Sequence, residues 1–301
     1  MPLNQCFEVD GQSGLDRLPV FERVSTANLG LGANPNFDMV VRNPGPGMPL
    51  PVPVAMVSKT YRILQHREIL ERVLDYAAKR TGSAPGKAMV STTPNGERMT
   101  MRMDLGREWA CRPDGRDVRL EILCRNSVDG SSALRLHLGW FRLVCSNGLV
   151  VGVTLGRVRM VHAKHADMDL AFKALEQQIE IAKTERDNLE NWTRKSVSIA
   201  AIQAWVDSVV AEKWNTLAAA RVWHICRSGH DVKFTPPFEK APPTQRKVKV
   251  VAPVPGAPST ASTLYDVAQS LSWVASRRSD LDESETHQRD IGRLLEQLRN
   301  G

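Results

Sequence analysis

The sequence predicts an α+β fold in which an antiparallel β-meander packs on long α-helices, and three observations carry that prediction. Apolar and polar residues alternate with a period of two from Met99 to Cys124 and again from Leu134 to Leu138. Beyond His165 the apolar spacing lengthens to that of a helix and stays so to Cys226. Turn signals, among them Pro113-Asp114-Gly115 and Asn147-Gly148, punctuate the alternating runs as hairpin connections do.

Each element follows in order. Residues 1–50 are rich in Gly, Pro and Asn and end in Asn43-Pro44-Gly45-Pro46-Gly47-Met48-Pro49, so they are expected to form an irregular N-terminal arm, with the core beginning after it. A core domain is expected over residues 51–232. Val52 to Val57 reads as a strand, and His66 to Arg80 as a helix with Ile69, Leu70, Val73, Leu74 and Ala77 on one face, stopped by Thr81-Gly82 and Pro85-Gly86.

In the meander, Met99, Met101, Met103 and Leu105 alternate with Thr100, Arg102 and Asp104, and Val118, Leu120, Ile122 and Cys124 with Arg119, Glu121 and Arg125. A third strand turns Leu134, Leu136 and Leu138 inward and Arg135 and His137 outward; Asn147-Gly148 leads into a fourth. One face of this sheet is therefore expected to be wet.

Leu170, Ala174, Gln177 and Ile181 define the stripe of one covering helix. A second, from about Ile199 to Cys226, carries Ile202, Trp205, Val209, Trp214, Leu217 and Val222 and stops near Gly229. Residues 233–262, rich in Pro, Val, Ala and Lys, read as an extended linker. Residues 263–301 read as a helical segment opened by a cap-like Ser262-Thr263 and carrying Leu264, Val267, Leu271, Val274, Ile291, Leu294 and Leu295.

Composition narrows the classes. Among 301 residues, 42% hydrophobic and 24% charged describe a globular chain with a real core. No run of about 20 apolar residues suits a membrane span, and Met1-Pro2-Leu3-Asn4-Gln5 lacks a secretory pattern, so a soluble, cytoplasmic protein with no membrane partner is expected. Five widely spaced cysteines, Cys6, Cys111, Cys124, Cys145 and Cys226, imply neither disulfides nor a zinc knuckle. There is no P-loop, no G-x-G-x-x-G after a strand, no H-E-x-x-H and no G-x-S-x-G, so no cofactor is implied and a non-enzymatic role is favoured.

The net charge of +7 is unevenly spread. Between Glu97 and His165 there are twelve Lys and Arg against seven Asp and Glu, whereas Asp167 to Glu190 has three against seven. Arg102, Arg119, Arg125, Arg135 and His137 fall on the polar phase of the meander, with Arg157, Arg159 and Lys164 just beyond. Guanidinium forks suit phosphate oxygens, so nucleic acid is the partner these residues point to, bound through its backbone because Trp109, Trp140 and Phe141 offer little base stacking. A solvated sheet face is the plainer explanation of the same arginines. The segment Lys233 to Lys249, with Lys240, Arg246 and Lys247, could likewise lie along phosphates or be a solvated tether.

His162, His165 and Asp169 stand at spacings that a metal could use, but such spacings arise by chance and Asp167 is equally placed to cap the helix that follows, so no metal is expected. Cys145, after Arg142 and before Asn147, has the setting of an activated thiol near His137 and equally that of a small buried strand residue. Asn126, Ser127, Asp129, Gly130 and Ser131 are what a tight turn requires.

Four stretches give the chain a family likeness: Val54 to Glu68, holding Tyr61 and Gln65-His66-Arg67-Glu68; Asn126-Ser127-Val128-Asp129-Gly130-Ser131-Ser132-Ala133; Arg142-Leu143-Val144-Cys145-Ser146-Asn147-Gly148-Leu149; and Thr263-Leu264-Tyr265-Asp266 through Trp273, which has Gln269 where the pattern has Asn. In these, from about Asp38 to Leu298, the chain resembles the phage- and plasmid-associated family known as domain of unknown function 932. That resemblance implies a mobile-element setting in the bacterial host cytoplasm and no particular reaction or catalytic residue.

The leading expectation is a non-enzymatic nucleic-acid-binding protein serving recombination, replication or single-strand handling. The alternative is a counter-defence or regulatory protein that binds a host protein through Trp205, Trp214 and Trp223 or the C-terminal helix. A third expectation, an enzyme centred on Arg142, Cys145 and the His162 cluster, has the least behind it. Oligomeric state is left open by the sequence.

Overall fold

Twelve strands and seven helices are ordered along the chain in a computed structural model that describes residues 5–10, 14–30, 32–45, 48–81, 87–143, 150–235, 240–278 and 281–300. The strands are β1 (Gln5–Val9), β2 (Phe21–Ser25), β3 (Phe37–Arg42), β4 (Val52–Ser58), β5 (Ala88–Thr92), β6 (Arg98–Asp104), β7 (Ala110–Cys111), β8 (Val118–Ser127), β9 (Leu134–Leu143), β10 (Val150–Met160), β11 (His230–Phe234) and β12 (Val248–Pro253). The helices are α1 (His66–Thr81), α2 (Met168–Arg194), α3 (Ile199–Trp205), α4 (Ala211–Lys213), α5 (Thr216–Ser228), α6 (Leu264–Ser276) and α7 (Leu281–Asn300).

The fold is α+β, as expected, but the stripe expected on α2 is corrected: Leu170, Ala174 and Ile181 are exposed, and Ala171, Phe172, Leu175, Ile179 and Ala182 form the buried face instead. A seven-stranded sheet has the order β1-β5-β6-β8-β9-β10, with β7 paired to β8; β2-β3-β4 form a second sheet and β11-β12 a third. The chain divides into two compact units. One comprises Met1–Ala110, Arg119–Gly139 and Gly156–Ile181, the other Cys111–Val118, Trp140–Leu155 and Ala182–Gly301.

In the first unit the period-two pattern produces the expected inward face. Met99, Met101, Met103, Leu120, Ile122, Leu134, Leu136 and Leu138 are all buried, and each such side chain stabilises the fold by about 1.5–3 kcal/mol relative to exposure. Helix α1 buries Ile69, Leu70, Val73, Leu74, Tyr76 and Ala77. It is tied to the start of α2 where the Tyr76 hydroxyl donates to the Leu175 carbonyl at 3.1 Å and Arg80 pairs with Glu176 at 2.7 Å.

The irregular N-terminal arm is corrected by β1, β2 and β3. Strand β1 pairs with β5 along the edge of the large sheet, and β3 pairs with both β2 and β4. Phe21, Val40, Val57 and Val128 then close a small core of their own. The glycines and prolines here separate short strands and do not abolish them; strands of five or six residues give too few alternations for the period to stand out. Strand β5 escapes the sequence reading for the same reason.

In the second unit, the single helix expected from Ile199 to Cys226 is interrupted. A π-helical turn spans Val206–Val210, and Asn215, the only non-glycine residue with positive φ among those described (φ 140), starts α5 by accepting the Ala218 amide at 2.9 Å. Helix α5 ends on Gly229 (φ 69), as expected. The C-terminal segment is two helices. Thr263 caps α6 in a capping box with Asp266, and the chain breaks at Arg277 before α7.

The linker expected over residues 233–262 is also corrected. Strands β11 and β12 pair in antiparallel register, Val232 with Val250, Lys233 with Lys249 and Phe234 with Val248, and Pro243–Gln245 is a 3-10 turn. Alternating Val and Lys bounded by prolines is thus a pair of strands, a pattern that proline content conceals when it is averaged over the segment. Among the described residues, no helix is long and apolar enough to cross a membrane.

Candidate functional site

The candidate residues fall in two regions, the basic strands of the large sheet and the motif cluster around His66. On the sheet, Arg102 faces Met89 of β5 and Leu123 of β8. Its guanidinium grips Glu121 through Nε and Nη2. Glu121 is buried, and burial pushes its carboxyl upward while Arg102 draws it down. Arg102 is therefore the counter-charge of a buried carboxylate and is not available to a ligand without exposing that cost. Arg119 pairs with Asp104 at 3.1 Å on a half-exposed rim, where such a pair contributes about 0–1 kcal/mol.

The expectation that all five basic side chains share a wet face is corrected at Arg135, which is buried. Strand β9 has neighbours on both sides in the sheet, and its residues from Leu134 to Phe141 are buried except for the half-buried His137. Arg125, Arg159 and Lys164 are exposed, while Arg157 is half-buried. Trp140 and Phe141 are buried and unavailable for base stacking.

The motif cluster brings together the first two family-like stretches, which lie about sixty residues apart. Gln65 exchanges two hydrogen bonds with the Phe21 backbone: its amide donates to the carbonyl at 2.6 Å and its oxygen accepts the Phe21 N–H at 3.2 Å. His66 is fully buried, and burial pushes its imidazole down to about 4. The Asn126 amide nitrogen donates both to the Leu64 carbonyl at 2.8 Å and to His66 Nδ1 at 3.0 Å, so the proton of the neutral ring sits on Nε2 and is donated to the Gly96 carbonyl at 2.8 Å.

The turn beside it is held by its own residues. Ser127 Oγ donates to the Ser132 carbonyl at 2.9 Å and accepts the Ser132 amide at 3.0 Å; Asp129 accepts the Ser131 amide at 2.9 Å, and Gly130 has φ 76. Burial pushes the Asp129 carboxyl up, but Ser131 and Arg98, the latter 2.7 Å away, hold it below its usual range.

Tyr61 donates to the Ser127 carbonyl at 3.3 Å and stacks on His162 with centroids 5.0 Å apart. His162 Nδ1 donates to the Arg62 carbonyl at 3.1 Å, and the Arg62 amide returns a bond of 3.0 Å to the His162 carbonyl. These residues lock three chain connections together, so their chemistry is that of the fold. Two acceptors in the cluster, Asn126 Oδ1 and His162 Nε2, are buried without a hydrogen-bond partner among the described residues.

The three residues His162, His165 and Asp169 do not form a candidate ion site among the described residues. His162 is turned to Arg62, Asp169 pairs with Arg72, and His165 is exposed. Asp167 instead caps α2, accepting the amides of Asp169 at 2.9 Å and Leu170 at 3.3 Å. No group of three or more His, Cys, Asp or Glu that could hold an ion occurs among the described residues.

Cys145 and Asn147 lie outside the described residues, and of Arg142 only its place in β9 is described. Burial pushes the Cys111 thiol up to about 11 and those of Cys124 and Cys226 up to about 12, the reverse of what a nucleophile needs. Trp205, Trp214 and Trp223, expected as anchors for a host protein, are corrected to core residues: all three are buried in the cluster formed by α3, α5, α6 and α7.

A family model described as Domain of unknown function (DUF932) matches residues 53–291. Two curated relatives from Escherichia coli (strain K12), UPF0380 protein YfjQ and UPF0380 protein YafZ, are each 50% identical to the chain over 42 residues. That stretch is 14% of this chain, and the match spans only about 15% of the length of either relative. No solved structure matches.

Proposed function

The chain belongs to the DUF932 family, whose description specifies no reaction, and from that premise we propose that it is a non-enzymatic nucleic-acid-binding protein of a phage or plasmid, acting in recombination, replication or single-strand handling. One observation carries the reading: β6, β8, β9 and β10 hold eight arginines and two carboxylates, and β9 and β10 hold four arginines and no carboxylate. A sheet so biased attracts a polyanion, and the attraction is insensitive to base identity because phosphates are the same at every step.

The accessible arginines of this set are Arg119, Arg125 and Arg159, with the exposed Lys164 just beyond β10. The Arg119–Asp104 pair is weak enough to be exchanged for a phosphate, unlike the Arg102–Glu121 pair, whose carboxylate is buried. Titrating labelled single- and double-stranded oligonucleotides by fluorescence anisotropy tests the reading. Binding should weaken steeply and log-linearly with salt, and a variant combining Arg119→Ala with Arg125→Ala should bind more weakly by about tenfold. Absence of binding at low salt would overturn it.

A further inference from the structure

We propose that the β11–β12 ribbon is a phosphate-gripping arm, a second contact of the chain with the backbone of a nucleic acid; this rests on the nucleic-acid reading above. Lys233 and Lys249 are direct cross-strand partners, so their side chains leave the same face of the ribbon with Cβ atoms about 5 Å apart. Both are exposed, and neither ammonium pairs with a carboxylate among the described residues. Like charges directly opposite one another oppose strand pairing, and a bound phosphate removes that repulsion.

The rest of the ribbon sharpens the charge. Its one carboxylate, Asp231, is buried and fully engaged: Arg221 donates to both oxygens at 2.8 and 2.7 Å, and the Trp273 indole donates at 2.9 Å. The negative charge is thereby spent inside, and the cations are left outside. Arg246 lies over the Phe234 ring at 5.1 Å while its Nε donates to the Ala241 carbonyl at 2.9 Å, which holds a further cation on the ribbon, on the side of Phe234.

A lysine on an exposed edge strand is also a device against strand-to-strand association. That accounts for a lysine on either strand of the ribbon, each of which is an edge, but it gives no reason to set the two directly opposite one another. A two-stranded ribbon is also of a width that the DNA major groove admits. Val250 and Val251, 57% and 50% exposed, leave β12 uncovered on both faces, so the ribbon is open to approach on the β12 side, while Asp231 and Val232 of β11 are buried.

The test is salt-dependent anisotropy with the full chain on duplex and single-stranded oligonucleotides, comparing the wild type with a variant in which Lys233→Gln and Lys249→Gln are combined. The expected result is at least tenfold weaker binding and a log–log salt slope shallower by about two, with an undiminished melting temperature. A Lys233→Arg, Lys249→Arg variant should bind as the wild type does. If the wild type binds and the glutamine variant binds equally well with the same slope, the ribbon is not the arm, while the sheet reading stands. If the wild type binds no oligonucleotide, the nucleic-acid reading itself falls and the arm with it. If the glutamine variant melts early, failure of the arginine variant to bind while melting normally would equally refute the arm.

Discussion

Asn126 donates its side-chain amide to Nδ1 of His66 across 3.0 Å, joining residues sixty positions apart in a site that water does not reach. The same nitrogen bonds the Leu64 carbonyl at 2.8 Å. One side chain thus satisfies two buried acceptors and selects the tautomer of a histidine that opens α1.

Replacing Asn126 with Ala leaves both acceptors buried and unpaired. We expect a loss of about 2–4 kcal/mol in unfolding free energy, measured by urea denaturation. Asn126→Asp should fare no better, because its carboxylate would face the Leu64 carbonyl. A loss under about 0.5 kcal/mol would show that the cluster does not hold the connections together.

Acid should weaken the fold through buried histidines before it reaches the carboxylates. Burial holds His66 and His287 at about 4, below the ordinary 6.5. The unfolded chain takes up these protons first, so stability is whole above about pH 6.5 and falls between there and about pH 4. Each histidine contributes up to about 3 kcal/mol over that window. Asp129 and Asp231, held below their ordinary 3.8, add a further loss only at lower pH. Unfolding free energies at pH 7 and pH 5 should differ by about 2 kcal/mol for each such histidine, and a flat profile would refute it.

Arg102 should prove structural. Arg102→Met strands the buried Glu121 carboxylate, and a loss of about 2–4 kcal/mol is expected. The paired change Arg102→Met with Glu121→Gln should recover much of it. Melting curves of the single and double variants decide the point, and the absence of any recovery would assign Arg102 another role.

At Gly229 a Cβ would come within 2.8 Å of the Pro258 carbonyl oxygen, and φ is 69. Gly229→Ala should therefore cost about 2 kcal/mol or more, from the left-handed backbone and the close approach together. A thermal midpoint equal to that of the wild type would contradict this.

Much of the fold is legible in local pattern. The helix from His66, the inward leucines and methionines of the meander, the cap at Asp167 and the stop at Gly229 all follow from spacing and side-chain chemistry within a few residues. Strands β1, β2, β3, β5, β11 and β12 are not legible in this way. Each is five or six residues long and owes its existence to a partner strand, some of which lie far off in sequence. The π-turn before Asn215 is likewise invisible in a stripe of apolar residues that suits a continuous helix.

The candidate site divides along the same line. Its residue types and their surplus of positive charge are properties of the chain, present however it folds. Which arginine is buried, which is bound to a carboxylate and which meets solvent depends on the strand next door: Arg102 is held by Glu121 of β8, while Arg125, on that same strand, is exposed. The sequence by itself determined the fold class, the helix from His66 and the inward face of the sheet, because periodicity decides which face of an element is apolar. Only the tertiary structure decided that the motif residues lock the fold, that the tryptophans are core and that two lysines of an expected linker stand side by side. Those are facts of pairing between distant segments, and no local rule encodes them.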